Sequence, residues 1–135
     1  MQFSYQQKVL FKHCDPAGIA FFPRICEMIN DAVEALFCEC LNWPFENLHK
    51  SQGVPTVALN IQFNAPCRHG DQLVLQVSVR NVGNASLTLN TRSVCNDELR
   101  FGADQTLVLT DADGQPTNWP IPVKSKLLEM MENVT

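Results

Sequence analysis

Charge is scarce in this 135-residue chain: Asp, Glu, Lys and Arg together make up 18% of it, below the average for soluble domains. Cations are the scarcer kind, 10 Lys and Arg against 14 Asp and Glu, for a net charge of −4. No stripe of cations runs along the chain, which excludes the phosphate backbone of nucleic acid as a partner. A few local cations can still hold a single nucleotide phosphate. No apolar run approaches the roughly 18 residues that cross a bilayer. The segment Met1–Lys8 lacks the charged start and apolar stretch of a secretory leader. A cytoplasmic location without a membrane partner is the expectation. Repeats, low-complexity tracts and linkers are missing as well, which predicts one domain over residues 1–135 with one core. A surface so short of charge favours self-association.

Metal ligation lacks its usual pattern. Cys38-Glu39-Cys40 offers two thiols, but zinc sites normally draw on two ligand pairs and no second pair stands at the usual spacing. The six cysteines read as small buried hydrophobes of a reducing compartment. His13 and His69 each precede a turn in polar surroundings, the setting of a surface or interface histidine.

What the chain does have is periodicity. Ile25, Met28, Ile29, Ala32, Val33, Leu36, Phe37 and Cys40 follow helical spacing, with Glu27, Asn30, Asp31 and Glu34 largely on the other face. Pro23 suits the first turn of such a helix, and Asn42-Trp43-Pro44 ends it. The first eleven residues, closing on Val9-Leu10-Phe11, predict a strand. Val54–Phe63 predicts another. In Asp71–Val82, Leu73, Leu75, Val77 and Val79 share one face. Gly83-Asn84 signals a hairpin into a strand carrying Leu87, Leu89, Thr91 and Ser93, and Asn96-Asp97 marks the next turn. Phe101–Thr110 predicts the last strand, and Val123–Glu132 a short amphipathic helix after Pro120 and Pro122. Strands joined by tight turns pair antiparallel, and a long helix with one apolar face needs a sheet to bury it. The predicted fold is α+β, a hotdog: a curved antiparallel sheet wrapped around one long central helix.

Chemistry concentrates in Cys14-Asp15-Pro16-Ala17-Gly18-Ile19-Ala20-Phe21-Phe22-Pro23. An acid ends a strand, a turn follows, and the helix begins a few residues on. A helix N-terminus presents unpaired N–H groups and partial positive charge, which stabilise negative charge growing on a carbonyl oxygen. A nearby carboxylate can attack the carbonyl carbon or activate water. A thioester suits such a site because thiolate leaves readily. The plainer reading of an Asp before Pro-Ala-Gly is a turn former or cap.

This segment resembles the active-site loop of the 4-hydroxybenzoyl-CoA thioesterase family, in Asp15-Pro16-Ala17-Gly18-Ile19 and in Phe21-Phe22-Pro23 leading into the helix. Phe63-Asn64-Ala65-Pro66, Gly70-Asp71-Gln72-Leu73 and Ile121-Pro122-Val123 are similar to that family's later landmarks. The resemblance implies hydrolysis of an acyl-CoA thioester, aromatic acyl groups such as 4-hydroxybenzoyl included, to free acid and CoA. It implies Asp15 as nucleophile or general base, the Phe22 backbone amide on the thioester carbonyl, and Gly18, Phe21 and Pro23 around the substrate. CoA is then part of the substrate, and no separate cofactor is expected. Homodimers formed by joined sheets, with sites at the subunit interface and pairing of dimers into a homotetramer, are implied as well. The sequence departs from the family between the third and fourth strands. Val82-Gly83-Asn84-Ala85-Ser86 holds none of the cations that grip CoA phosphates in relatives. Arg68 and Arg80, with Arg92, are the substitutes, and an acyl carrier protein is the alternative carrier. Asp31 on the helix is the alternative catalytic acid. A non-catalytic hotdog protein that binds an acyl ligand or a partner is the alternative function; a hotdog hydratase would need a His–acid pair that is not apparent.

Overall fold

The computed structural model describes residues 2–132. The elements run β1 (Phe3–Lys8), α1 (Phe22–Glu39), α2 (Phe45–Leu48), β2 (Thr56–Phe63), β3 (Gln72–Val82), β4 (Ser86–Cys95), β5 (Glu98–Val108) and α3 (Ile121–Glu132). The five strands form one antiparallel sheet in the order β1-β3-β4-β5-β2. Its concave face buries the alternating residues of the central strands: Leu73, Leu75, Val77 and Val79 of β3, and Leu87, Leu89, Thr91 and Ser93 of β4. Ile25, Met28, Ile29, Ala32, Val33, Leu36 and Phe37 of α1 join the same core, as do Phe101, Ala103 and Leu107 of β5. This is the hotdog architecture, a sheet wrapped around one long helix.

Local chemistry accounts for the ends of α1. Phe21 is extended and caps the helix, Pro23 sits inside its first turn, and Asn42 takes a left-handed φ of 52° just beyond its end. Trp119 is buried and its Nε1–H donates to the Ser86 carbonyl at 3.0 Å, which pins the approach to α3 onto the β3–β4 turn.

Several expectations need correction. The first strand stops at Lys8 rather than running on to Phe11, because Phe11–His13 coils into a 3₁₀ turn. α2 leaves no trace in the sequence periodicity, because four residues are too few to show a period. β5 begins at Glu98, not Phe101, and stops at Val108. β2 and β3 follow one another in sequence yet are not neighbours: β2 pairs with β5 at the far edge of the sheet, and β1 takes the edge beside β3. Only Cys67 and Cys95 of the six cysteines are fully buried; Cys14, Cys26 and Cys40 are half-buried and Cys38 is exposed.

Candidate functional site

Residues 14–21 form a loop stitched to its surroundings by backbone. The Asp15 N–H donates to Ile19 O at 3.0 Å, and the Gly18 N–H returns to Asp15 O at 2.9 Å. Gly18 carries a φ of +81°, a conformation that strains any side-chain-bearing residue. Asp15 is half-buried, and its Oδ1 accepts the Ala17 N–H at 2.9 Å. The turn-forming role of the acid is therefore real, but it occupies one oxygen. Oδ2 takes no hydrogen bond within the described residues, so the turn fixes the side chain and leaves the second oxygen free.

The start of α1 supplies the complementary group. Phe21 N–H donates to His13 O at 3.2 Å, while Arg24 and Ile25 N–H both return to Phe21 O, at 2.9 and 3.3 Å. Pro23 has no N–H. Phe22 N–H is thus the one donor of the first helical turn left without a partner among the described residues, at the positive end of an 18-residue helix.

Beneath the loop runs the β2–β3 connection, and Arg100 of β5 holds it. The Arg100 carbonyl accepts the N–H groups of Asn64 and Ala65, and its Nη1 donates to Pro66 O at 3.0 Å and pairs with Asp71 Oδ2. Partial burial, which pushes the Asp71 carboxyl up, is outweighed by the hydrogen bonds from Arg100 and the Arg68 N–H, and the net shift is downward. The connection in turn carries the loop: Ala20 N–H donates to Cys67 O at 2.8 Å, Ile19 bridges to Arg68, and His69 N–H donates to Gly18 O at 3.1 Å. A cavity of about 310 Å³ opens between them, lined by Ile19, Ala20, Ile25 and residues 63–67. Asp15 belongs to the loop but does not itself line this cavity. Burial pushes the Cys67 thiol up to about 11, so the one thiol lining this cavity stays protonated at neutral pH and is a poor nucleophile.

Among the sequence-predicted residues, Asp15, Gly18, Phe21, Phe22 and Pro23 are contiguous here and Arg68 is tied to the loop by its backbone. Phe21 and Phe22 are exposed, Phe22 at 66%. Arg80 is elsewhere: it stands near the far end of β3, roughly 26 Å along the strand from Gln72. Glu27, Asp31 and Glu34 are exposed on the outer face of α1, away from the cavity. Asp71 and Arg100 escaped the sequence reading because their pairing joins residues far apart in the chain, with no local signal.

His13 also departs from expectation, being only 4% exposed. Its Nδ1 accepts the Leu10 N–H at 2.9 Å, which leaves the ring's proton on Nε2. Burial first, then Lys12 and Arg24, push its pKa below the ordinary 6.5, against opposing pulls from Glu27 and Asp31. The neutral ring is the folded form. Its contribution to stability is complete above the ordinary value and drains away as pH falls from there toward the lowered folded value. Thermal unfolding at pH 7.5 and 5.0 will show a larger drop in Tm for the wild type than for His13→Asn, whose amide oxygen retains the acceptor without titrating. Equal drops would contradict this assignment.

Fold and loop together define a hotdog protein of the thioesterase class. The chain belongs to the thioesterase-like superfamily, whose profile matches residues 9–129. It is 28% identical over 78 residues to the 4-hydroxybenzoyl-CoA thioesterase of Pseudomonas sp. (strain CBS-3), a stretch covering 56% of this chain and 55% of that protein. In that alignment the chain spans about half the length of the curated relative it matches. Two solved structures share the fold along nearly the whole length. A 1,4-dihydroxy-2-naphthoyl-CoA thioesterase from Synechocystis superposes with a TM-score of 0.88 at 18% identity, covering 96% of this chain and 98% of the other. The BH1999 gentisyl-coenzyme A thioesterase superposes with a TM-score of 0.86 at 24% identity, covering 93% and 99%. No described helix is long and apolar enough to cross a membrane.

Proposed function

We propose that this protein hydrolyses an acyl-CoA thioester to the free acid and CoA. The observation that carries this is the unpartnered Phe22 N–H opening α1 beside a loop that fixes Asp15 by one oxygen only. The thioester oxygen sits against that N–H, where negative charge developing on it is stabilised. Asp15 either activates water or attacks the acyl carbon itself. By either route a water oxygen ends on the acyl carbon, the C–S bond breaks, and the sulfur leaves as thiolate and takes up a proton. This chemistry calls for no resident metal or redox group. Relatives named for hydroxybenzoyl-, dihydroxynaphthoyl- and gentisyl-CoA favour an aroyl group over a straight chain.

The active form is a dimer joined along β2. That strand is exposed on nearly every residue, pairs on one side only, and ends at Phe63, which lines the cavity. A partner strand on its open side brings the cavity to a subunit boundary.

The test is thiol release from a panel of short, long and aromatic acyl-CoAs. Turnover is expected, highest with aroyl groups. Saturable binding of acyl-CoA without thiol release from any member would replace this reading with a non-catalytic binding protein.

A further inference from the structure

Phe11 is 81% exposed, more open than any other phenylalanine, tyrosine or tryptophan among the described residues. It lies outside the core and outside the cavity beside the Asp15 loop. Its one ring neighbour is His69, at 6.0 Å between centroids and 52° between planes, which leaves most of the phenyl group in water. His69 is fastened to the loop through Gly18 O, Arg68 bridges to Ile19, and Gly70 N–H donates to Val9 O at 2.8 Å. The turn carrying Phe11 and Lys12 and the segment carrying Arg68 and His69 therefore lie side by side at the edge of the candidate site.

This patch is cationic in a chain of net charge −4. Lys12 and Arg68 are exposed, and neither side chain has an ion-pair partner among the described residues. Two of the acids nearby are paired, Asp71 with Arg100 and Glu27 with Arg24, while Asp15 spends one oxygen on the Ala17 N–H and keeps the other for the acyl centre in the reading above. An open aromatic face stacks a nucleobase, while guanidinium and ammonium groups take phosphate oxygens.

We infer that this patch holds the adenine nucleotide of the CoA carrier, with the base on Phe11 and the phosphates on Lys12 and Arg68. The inference rests on the acyl-CoA reading and adds where the carrier's phosphates go. It removes the difficulty posed by the cation-free turn Val82–Ser86, since Arg80 and that turn stand at the opposite end of the sheet. A second ring pair, Phe45 with His49 at 5.0 Å beside Lys50, lacks a comparable face: Phe45 packs against the core and meets His49 edge-on.

The experiment compares the CoA thioester and the pantetheine thioester of one acyl group, the best of the panel, alongside calorimetric titration with adenosine 3′,5′-bisphosphate. Wild type will prefer the CoA thioester in kcat/KM. Phe11→Ala, and separately the Lys12→Ala/Arg68→Ala pair, will each lower that preference about tenfold, through KM, and weaken nucleotide binding to match. Lys50→Ala will leave the preference as it was. A preference unchanged in both patch variants, or nucleotide bound by them as tightly as by wild type, would overturn the inference. If no thioester is hydrolysed, the enzymatic reading fails and calorimetry decides the patch alone. Nucleotide bound by wild type and lost in Phe11→Ala sustains it; no binding by wild type ends it. Phe11 is so exposed that its truncation leaves the fold intact, which a thermal melt verifies.

Discussion

Replacing Asp15 by Asn is expected to lower kcat by roughly 10²–10⁴, the range of a lost acid–base or nucleophilic group, while Tm stays within a few degrees. The two outcomes separate because the proposed reaction gives the carboxylate two roles on two oxygens. Oδ1 accepts the Ala17 N–H and so shapes the turn; an Asn carbonyl oxygen does the same. What Asn cannot supply is negative charge on the other position, where a base or nucleophile must act. Asp15→Ala removes both and should cost stability as well, by about 1 kcal/mol for the lost turn bond. Asp31→Asn is the matched control for the alternative acid. Asp31 lines an open groove with Glu34, Glu39 and Glu46 on the outer side of α1, opposite Tyr5, and its neutralisation should leave turnover near wild type. Steady-state thiol release and a thermal melt of each variant decide the matter. Asp15→Asn retaining full turnover would dismiss the carboxylate, and a collapse in Asp31→Asn would transfer the role to the helix.

The parts of this fold that were legible in the sequence are those whose cause is local. The α1 face from Ile25 to Phe37 is written in helical spacing, and the concave face of β3 and β4 in simple alternation, with Thr91 and Ser93 placed correctly despite their hydroxyls. The Asp15 loop was legible because its turn chemistry and the helix start fall within ten residues. Partnership at long range was not. Whether β2 borders β3 or β5 depends on a connection that crosses the sheet, and nothing within Thr56–Phe63 states it. The Arg100–Asp71 anchor and the burial of His13 belong to the same category. Arg80 is instructive for the opposite reason. Its nearness in sequence to the β3–β4 turn recommended it as a phosphate ligand, and the length of β3 carries it away from the loop.

A carboxylate introduced in the middle of β2 should split the assembly. An unprotected edge strand is a hazard that proteins ordinarily blunt with Lys, Pro or bulges. β1, the other edge, follows that rule with Ser4, Gln6 and Lys8 turned outward. β2 reads Thr-Val-Ala-Leu-Asn-Ile-Gln-Phe, with no charge, and its bulge lies only at the start, between Thr56 and Ala58. Leu59 and Phe63 face the concave side opposite Gln105 and Phe101, yet remain 43% and 55% exposed. An edge so apolar and so open is intelligible when a second copy covers it. Leu59 is already more than half covered in the protomer, so burying its remaining 43% is worth roughly 0.6–1.3 kcal/mol per copy, and a two-fold arrangement counts it twice. Leu59→Glu removes both and adds the cost of burying two carboxylates, at least about 1 kcal/mol each, so about 3 kcal/mol is a lower bound, roughly a hundredfold in Kd. Sedimentation at micromolar concentration should give wild type near twice the 15.2 kDa protomer mass and the variant near the protomer mass. Because Phe63 lines the cavity at the end of the same strand, thioester hydrolysis should fall along with the dimer and recover in part as variant concentration is raised. Wild type sedimenting as a protomer, or Leu59→Glu remaining at the wild-type mass, would remove β2 from the interface and leave its exposed leucine and phenylalanine without an occupant.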